Sequence, residues 1–167
     1  MKELLDKLSS YNIFNYLLPG VVFVVILSKV TQYDFVQKDL IVGVFLYYFI
    51  GLIVSRVGSI VIEPILKKLS FLHFAEYSKF VSASKIDSKI EILSEVNNMY
   101  RTICSLLLLE IVFVICEKSA TYFPLSQRFV SVSLLVAVLF LFLFSYKKQT
   151  NYIAKRIESN NSTIQNN

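Results

Sequence analysis

From Phe129 to Tyr146 the chain runs for 18 residues without a charged side chain. In water a run of that kind needs a core large enough to cover it on every side. In a bilayer it is close to the ~20 residues with which a helix crosses about 30 Å of hydrocarbon. Three comparable stretches precede it. Leu40 to Ile62 is bounded by Asp39 and by Glu63-Pro64, and Thr102 to Cys116 follows it. Ile13 to Val30 is the weakest, because Leu17 to Val30 is too short alone and must take in Ile13 to Tyr16, with the polar Asn15, to reach crossing length.

Apolar residues make up 55% and charged residues 17% of the chain, at a mean hydropathy of +0.60. A soluble domain carries about 25% charged residues. The sequence therefore predicts an all-α fold: an integral membrane bundle of four transmembrane helices with a cytoplasmic amphipathic helical extension. Four spans consume about half of the 167 residues, which leaves little for a separate soluble catalytic domain. A single membrane domain is expected over 1–158. The Asn-, Ser- and Thr-containing end, 159–167, is expected to be a disordered tail, since it has little apolar surface to bury. No cleavage pattern follows the first apolar run, so the N-terminal segment is expected to be retained.

Between the second and third spans lies a polar segment, 63–100. Ile86, Ile90, Leu93 and Val96 recur there at spacings of three and four, which predicts an amphipathic helix. Ser84 and Asp87 are spaced like a capping box at its start. No Gly or Pro separates it from the third span, so one helix is expected from Lys85 to Glu117. A shorter amphipathic helix is expected over Lys2 to Leu18, with Pro19-Gly20 marking a bend. Pro64 is expected to end the second span, because the residue before proline is disfavoured in a helix.

Of the 17 Lys and Arg residues, thirteen fall on one set of loops and ends and four on the other. A cytoplasmic excess of positive residues sets orientation. Both termini and the 63–100 segment are accordingly expected in the cytoplasm, with the protein in a bacterial inner membrane. That distribution also explains the net charge of +5 through membrane topology rather than nucleic-acid binding.

Glu110 stands near the middle of the third span, where a carboxylate costs at least ~2.5 kcal/mol to insert and marks a candidate functional site. Its reading is either a proton site lining an oligomeric pore or a protonated acid bonded across helices. Arg56, in the second span, is the expected partner, about 8 Å away in depth. Gly43, Gly51, Ser55 and Ser59, with Gly58 beside them, put small residues at four-residue spacing, a pattern that lets helix backbones approach closely. This face is expected to pack against another span of the chain or against a second copy, and a homo-oligomer is the reading preferred. Lys67, Lys68, Lys85 and Lys89, with Ile86, Ile90 and Leu93, are candidates for contact with anionic lipid or a cytoplasmic protein. The lone His73 and the separated Cys104 and Cys116 provide no metal or nucleophile arrangement. No phosphate loop, HExxH or CxxC occurs, so neither cofactor, metal nor enzymatic activity is expected.

The runs Tyr11-Asn-Ile-Phe-Asn-Tyr-Leu-Leu-Pro-Gly20 and Gly51-Leu-Ile-Val-Ser-Arg-Val-Gly-Ser-Ile-Val-Ile-Glu-Pro64 resemble those of small uncharacterised bacterial four-span proteins, over most of the chain. In size and topology the chain is also similar to the membrane subunit of Kiwa-type phage-defence systems. That resemblance is one of architecture. It implies a membrane sensor or effector that works with a cytoplasmic partner in antiviral defence. A small ion channel or proton-coupled transporter centred on Glu110 and Arg56 is the alternative.

Overall fold

A computed structural model describes the backbone of residues 12–122 and 126–165, and side-chain surroundings within that range as far as 159. The described residues are almost wholly helical, with no strand among them. Four helices are long and apolar enough to cross a membrane: α1 (Ile13–Val30), α2 (Leu40–Lys68), and the apolar parts of two longer ones. Those are α4 (Lys89–Tyr122) and α5 (Gln127–Gln165), while the short α3 (Tyr77–Ile86) lies between α2 and α4. The protein is thus a multi-pass helical membrane protein.

Both prolines inside helices are accommodated rather than terminating. In a regular helix a proline ring collides with the carbonyl four residues back. Here each is preceded by a widened turn, Ile13–Leu17 ahead of Pro19 and Gly58–Ile62 ahead of Pro64. In these turns the bonds skip five residues: Leu18 N–H donates to the Ile13 carbonyl, and Glu63 N–H to the Gly58 carbonyl. The extra residue spreads the carbonyls and makes room for the ring. Hence α1 runs unbroken through Pro19-Gly20, and α2 continues past Pro64 to Lys68. The stop expected at Pro64 is corrected, while at Pro19-Gly20, where a bend was expected, the helix runs on through a widened turn.

The long helix also begins later than expected. Asp87 caps α4, its carboxylate accepting from Lys89 N–H at 2.9 Å and its carbonyl from Ile90 N–H at 3.2 Å. Ser84 lies inside α3, where its hydroxyl donates to the Val81 carbonyl. Lys85 and Ile86 therefore close α3 rather than open the long helix. At the far end α4 continues to Tyr122, and the backbone of α5 stays helical to Gln165, through most of the segment expected to be disordered. The helix expected over Lys2 to Leu18 lies mostly outside the described residues.

α1, α2 and α4 make the core. Phe23, Val24 and Leu27 of α1 meet Val54 of α2 and Leu106 of α4, with Phe113, Ile50 and Tyr47 packed around them. Backbone proximity sets this packing. A Cβ on Gly51 would lie 2.6 Å from the Tyr16 carbonyl carbon, and one on Gly20 would lie 2.7 Å from that of Tyr47. α5 is attached more loosely. Leu135 and Phe129, for example, are 70% and 59% exposed, as a lipid-facing surface should be. Its anchors are Phe142 stacked on Phe49 of α2 and Tyr152 stacked on Tyr77 of α3.

Candidate functional site

The apolar parts of α2, α4 and α5 end around one carboxylate. Glu63 is the residue before Pro64 on α2, with its side chain 7% exposed. Its Oε1 accepts from Lys67 Nζ at 2.9 Å and lies 3.4 Å from Lys148 Nζ on α5. Oε2 accepts from Arg101 on α4 at 2.8 Å. Lys148 also donates to the carbonyl and hydroxyl of Ser59, both at 2.8 Å. Lys67 packs its ammonium over the Phe74 ring at 4.0 Å. Three cations thus surround one anion, and the arrangement carries surplus positive charge.

Its position follows from the chain. Glu63, Arg101 and Lys148 each sit just where an apolar run ends, and antiparallel spans bring those ends to one level. Between the spans, polar side chains tie α2 to α4: Ser105 donates to the Val54 carbonyl at 2.7 Å, and the Thr102 and Ser55 hydroxyls meet at 3.3 Å. Such bonds are worth ~0.6 kcal/mol on average and up to ~1.7 in membrane proteins.

The small-residue stripe is used within the chain. Gly51 faces Tyr16 and Gly20 of α1, Gly58 faces Arg101 and Ser105 of α4, Ser55 meets Thr102, and Ser59 receives Lys148. The atoms nearest a Cβ on Gly43 belong to Tyr47 of its own helix and to Gln37. Of the two partners the small-residue face could take, it has other spans of the same chain: Gly51, Ser55 and Ser59 are covered by α1, α4 and α5.

Arg56 and Glu110 do not pair. Arg56 donates to the Tyr16 hydroxyl at 3.1 Å. Glu110 is 6% exposed, and neither carboxylate oxygen has a hydrogen-bond partner. The reason is register. With Ser55 opposite Thr102 and Gly58 opposite Arg101, Glu110 lies level with a part of α2 some seven to nine residues from Arg56, roughly 10–13 Å in depth. That exceeds the expected 8 Å.

The remaining candidates spread along the extension beyond the spans. Lys67 is in the Glu63 cluster, whereas Lys68, Lys85 and Lys89 are exposed. Ile86 is 90% and Leu93 66% exposed, while Ile90 is half-buried. Cys104 and Cys116 are free, exposed thiols. No group of three or more potential metal ligands occurs among the described residues. Sequence reasoning missed Glu63, Arg101 and Lys148 as a unit. Their common place at the edges of three apolar runs was the available signal.

Fold and cluster together define a helical multi-pass membrane protein whose one charged end is joined through a single carboxylate. No family model matches the chain, nor does any curated protein or solved structure.

Proposed function

We propose that the protein is a membrane sensor or effector that engages a cytoplasmic protein partner through the helices extending beyond its spans, as part of antiviral defence. The observation that supports this reading is an apolar stripe on the extension of α4. Ile92, Val96 and Tyr100 recur every fourth residue, with Leu93 beside them, and they are 60%, 36%, 61% and 66% exposed respectively. An exposed apolar face rimmed by charge marks a site of association. The stripe lies on the same side as the Glu63 cluster, the side to which the order of the spans in the sequence assigns thirteen of the 17 basic residues and which is therefore expected to face the cytoplasm of a bacterial inner membrane. α3 and the end of α5, joined by the Tyr77–Tyr152 stack, stand beside it.

The test is a phage challenge paired with affinity recovery from membranes. Cells producing the wild-type protein should show reduced plaque formation, and a defined soluble protein should be recovered with it. Ile92→Asp with Leu93→Asp should abolish both while leaving membrane insertion intact. Unchanged recovery in that variant would refute the docking surface, and unchanged plaque counts with wild type would refute the defence role.

The rival reading, a small channel or proton-coupled transporter, retains one supporting observation, the buried and unpartnered Glu110 carboxyl. Ion or proton flux into liposomes that disappears in Glu110→Gln would favour it. Arg56, engaged with Tyr16, has no part in that reading.

A further inference from the structure

Beside the Glu63 cluster lies an open groove of about 390 Å³ between α2 and α5. Its lining is graded along the axis. Ile60 and Phe144 form the end nearer the spans, and Lys147, Asn151 and Lys155 form the end away from them. The latter three are spaced four residues apart, so they line one ridge of α5. Lys148 and Tyr152 flank that ridge.

We propose that this groove binds an anionic phospholipid, with its phosphodiester headgroup between Lys147 and Lys155 and an acyl chain along Ile60 and Phe144. Three arguments carry the inference. First, the groove is amphipathic along the same axis as a lipid molecule, apolar toward the hydrocarbon and cationic toward the headgroup level. Second, its charge is uncompensated. Glu63 already faces Lys67, Arg101 and Lys148, and neither Lys147 nor Lys155, both exposed, has an acidic partner among the described residues. Clustered surplus charge of one sign favours a counter-ion of the other, and basic pockets between membrane helices are a known form of headgroup site. Third, Lys148 is held in place by Ser59 and Glu63, so one wall of the groove is preorganised. Free inorganic phosphate would satisfy the cations but leave Ile60 and Phe144 without a ligand.

The test uses the full chain in detergent micelles, incubated with phosphatidylglycerol or with phosphatidylcholine and read by native mass spectrometry. The wild type should retain phosphatidylglycerol at least about tenfold better, which corresponds to ~1.4 kcal/mol. Lys147→Gln with Lys155→Gln removes two exposed, unpaired cations, and should reduce that preference to near parity at an unchanged unfolding midpoint. Lys38→Gln with Lys118→Gln, on the opposite side, should leave it intact. Millimolar inorganic phosphate should not displace the lipid. Equal retention of the two lipids by the wild type, a preference unaffected by the Lys147 and Lys155 changes, an equal loss in the Lys38 and Lys118 control, or displacement by phosphate would each overturn the proposal. A second measurement needs no variant: phosphatidylglycerol with a photoreactive acyl chain should label peptides containing Ile60 or Phe144. Labelling confined to other spans would also overturn it.

Discussion

Replacing Gly51 by alanine should destabilise the protein, although the same change stabilises an isolated helix by about 1 kcal/mol. The new Cβ would lie 2.6 Å from the Tyr16 carbonyl carbon and 3.0 Å from Gly20 N. Ordinary contact distances are about 3.5–4.0 Å, so α1 and α2 would have to part by about 1 Å. A gap of that size forfeits about a quarter to a half of each non-bonded well, and about 50 atom pairs across the seam at ~0.15 kcal/mol give a loss of roughly 2–4 kcal/mol. Against the gain in propensity, a net cost of about 1–3 kcal/mol remains, within the usual range for overpacking. The assay is reversible unfolding of the solubilised protein in mixed micelles of rising SDS fraction. Gly43→Ala is the internal control, because the atoms nearest its Cβ are side-chain atoms, the Tyr47 ring at 3.2 Å and Gln37 Cβ at 3.5 Å, and it should be close to neutral. Adding Gly20→Ala to Gly51→Ala should cost less than the sum of the two, since both open one seam. An unfolding midpoint for Gly51→Ala equal to or above wild type would refute the argument.

Other outcomes follow from the charged end and the helix termini. Glu63→Gln strands three cations around a neutral group. Breaking a fully buried pair costs ~3–5 kcal/mol, and partial exposure of Lys67, Arg101 and Lys148 lowers this to about 1–3, with partial recovery in the Arg101→Met double variant, read by the same titration. Ser70 ends α2 with φ of 57°, and its N–H donates to the Lys67 carbonyl. Ser70→Gly should therefore stabilise by up to about 1 kcal/mol, and a lower midpoint would contradict that. Glu110→Leu removes an acid whose oxygens are unpartnered and should raise the unfolding midpoint, with ~2 kcal/mol as the scale. In a background lacking Cys104 and Cys116, a cysteine at Asn151 should react with an impermeant maleimide only after cells are opened, whereas one at Asp34 should react in intact cells; the reverse would invert the proposed orientation.

The spans were legible because hydrocarbon imposes a length and a composition on each of them: the apolar runs at 40–62 and 129–146 meet both, and the shorter run at 102–116 reaches crossing length within the longer helix Lys89–Tyr122. Even the weak first span falls within a helix with the expected bounds, Ile13–Val30. The stripe from Gly51 to Ser59 was legible as a packing surface, but its partner was not. Small residues permit close approach without specifying whose backbone approaches. Pro64 misled because the rule for proline assumes bonds of four-residue span, and the chain inserts a wider turn instead. The Glu110 and Arg56 pairing failed on a shift of a few ångströms in interhelix register, which neither sequence position records. The Glu63 cluster depends on three spans ending at one level, and that level is set by loop lengths and tertiary packing.

The widened turn before Pro64 also controls the direction in which everything after it points. Successive residues of a regular helix advance by about 100°, so the stripe Gly51, Ser55, Ser59 would drift around the axis with each turn. A turn closed over five residues slows that drift and keeps Glu63 in phase with Ser59, which is why Lys148 can reach both. Chain length between Gly58 and Pro64 is therefore matched to the proline: a chain shortened by one residue at Ile60 or Val61 would close the widened turn, keep Glu63 on nearly the same face, and set the Pro64 ring against the carbonyl four residues before it.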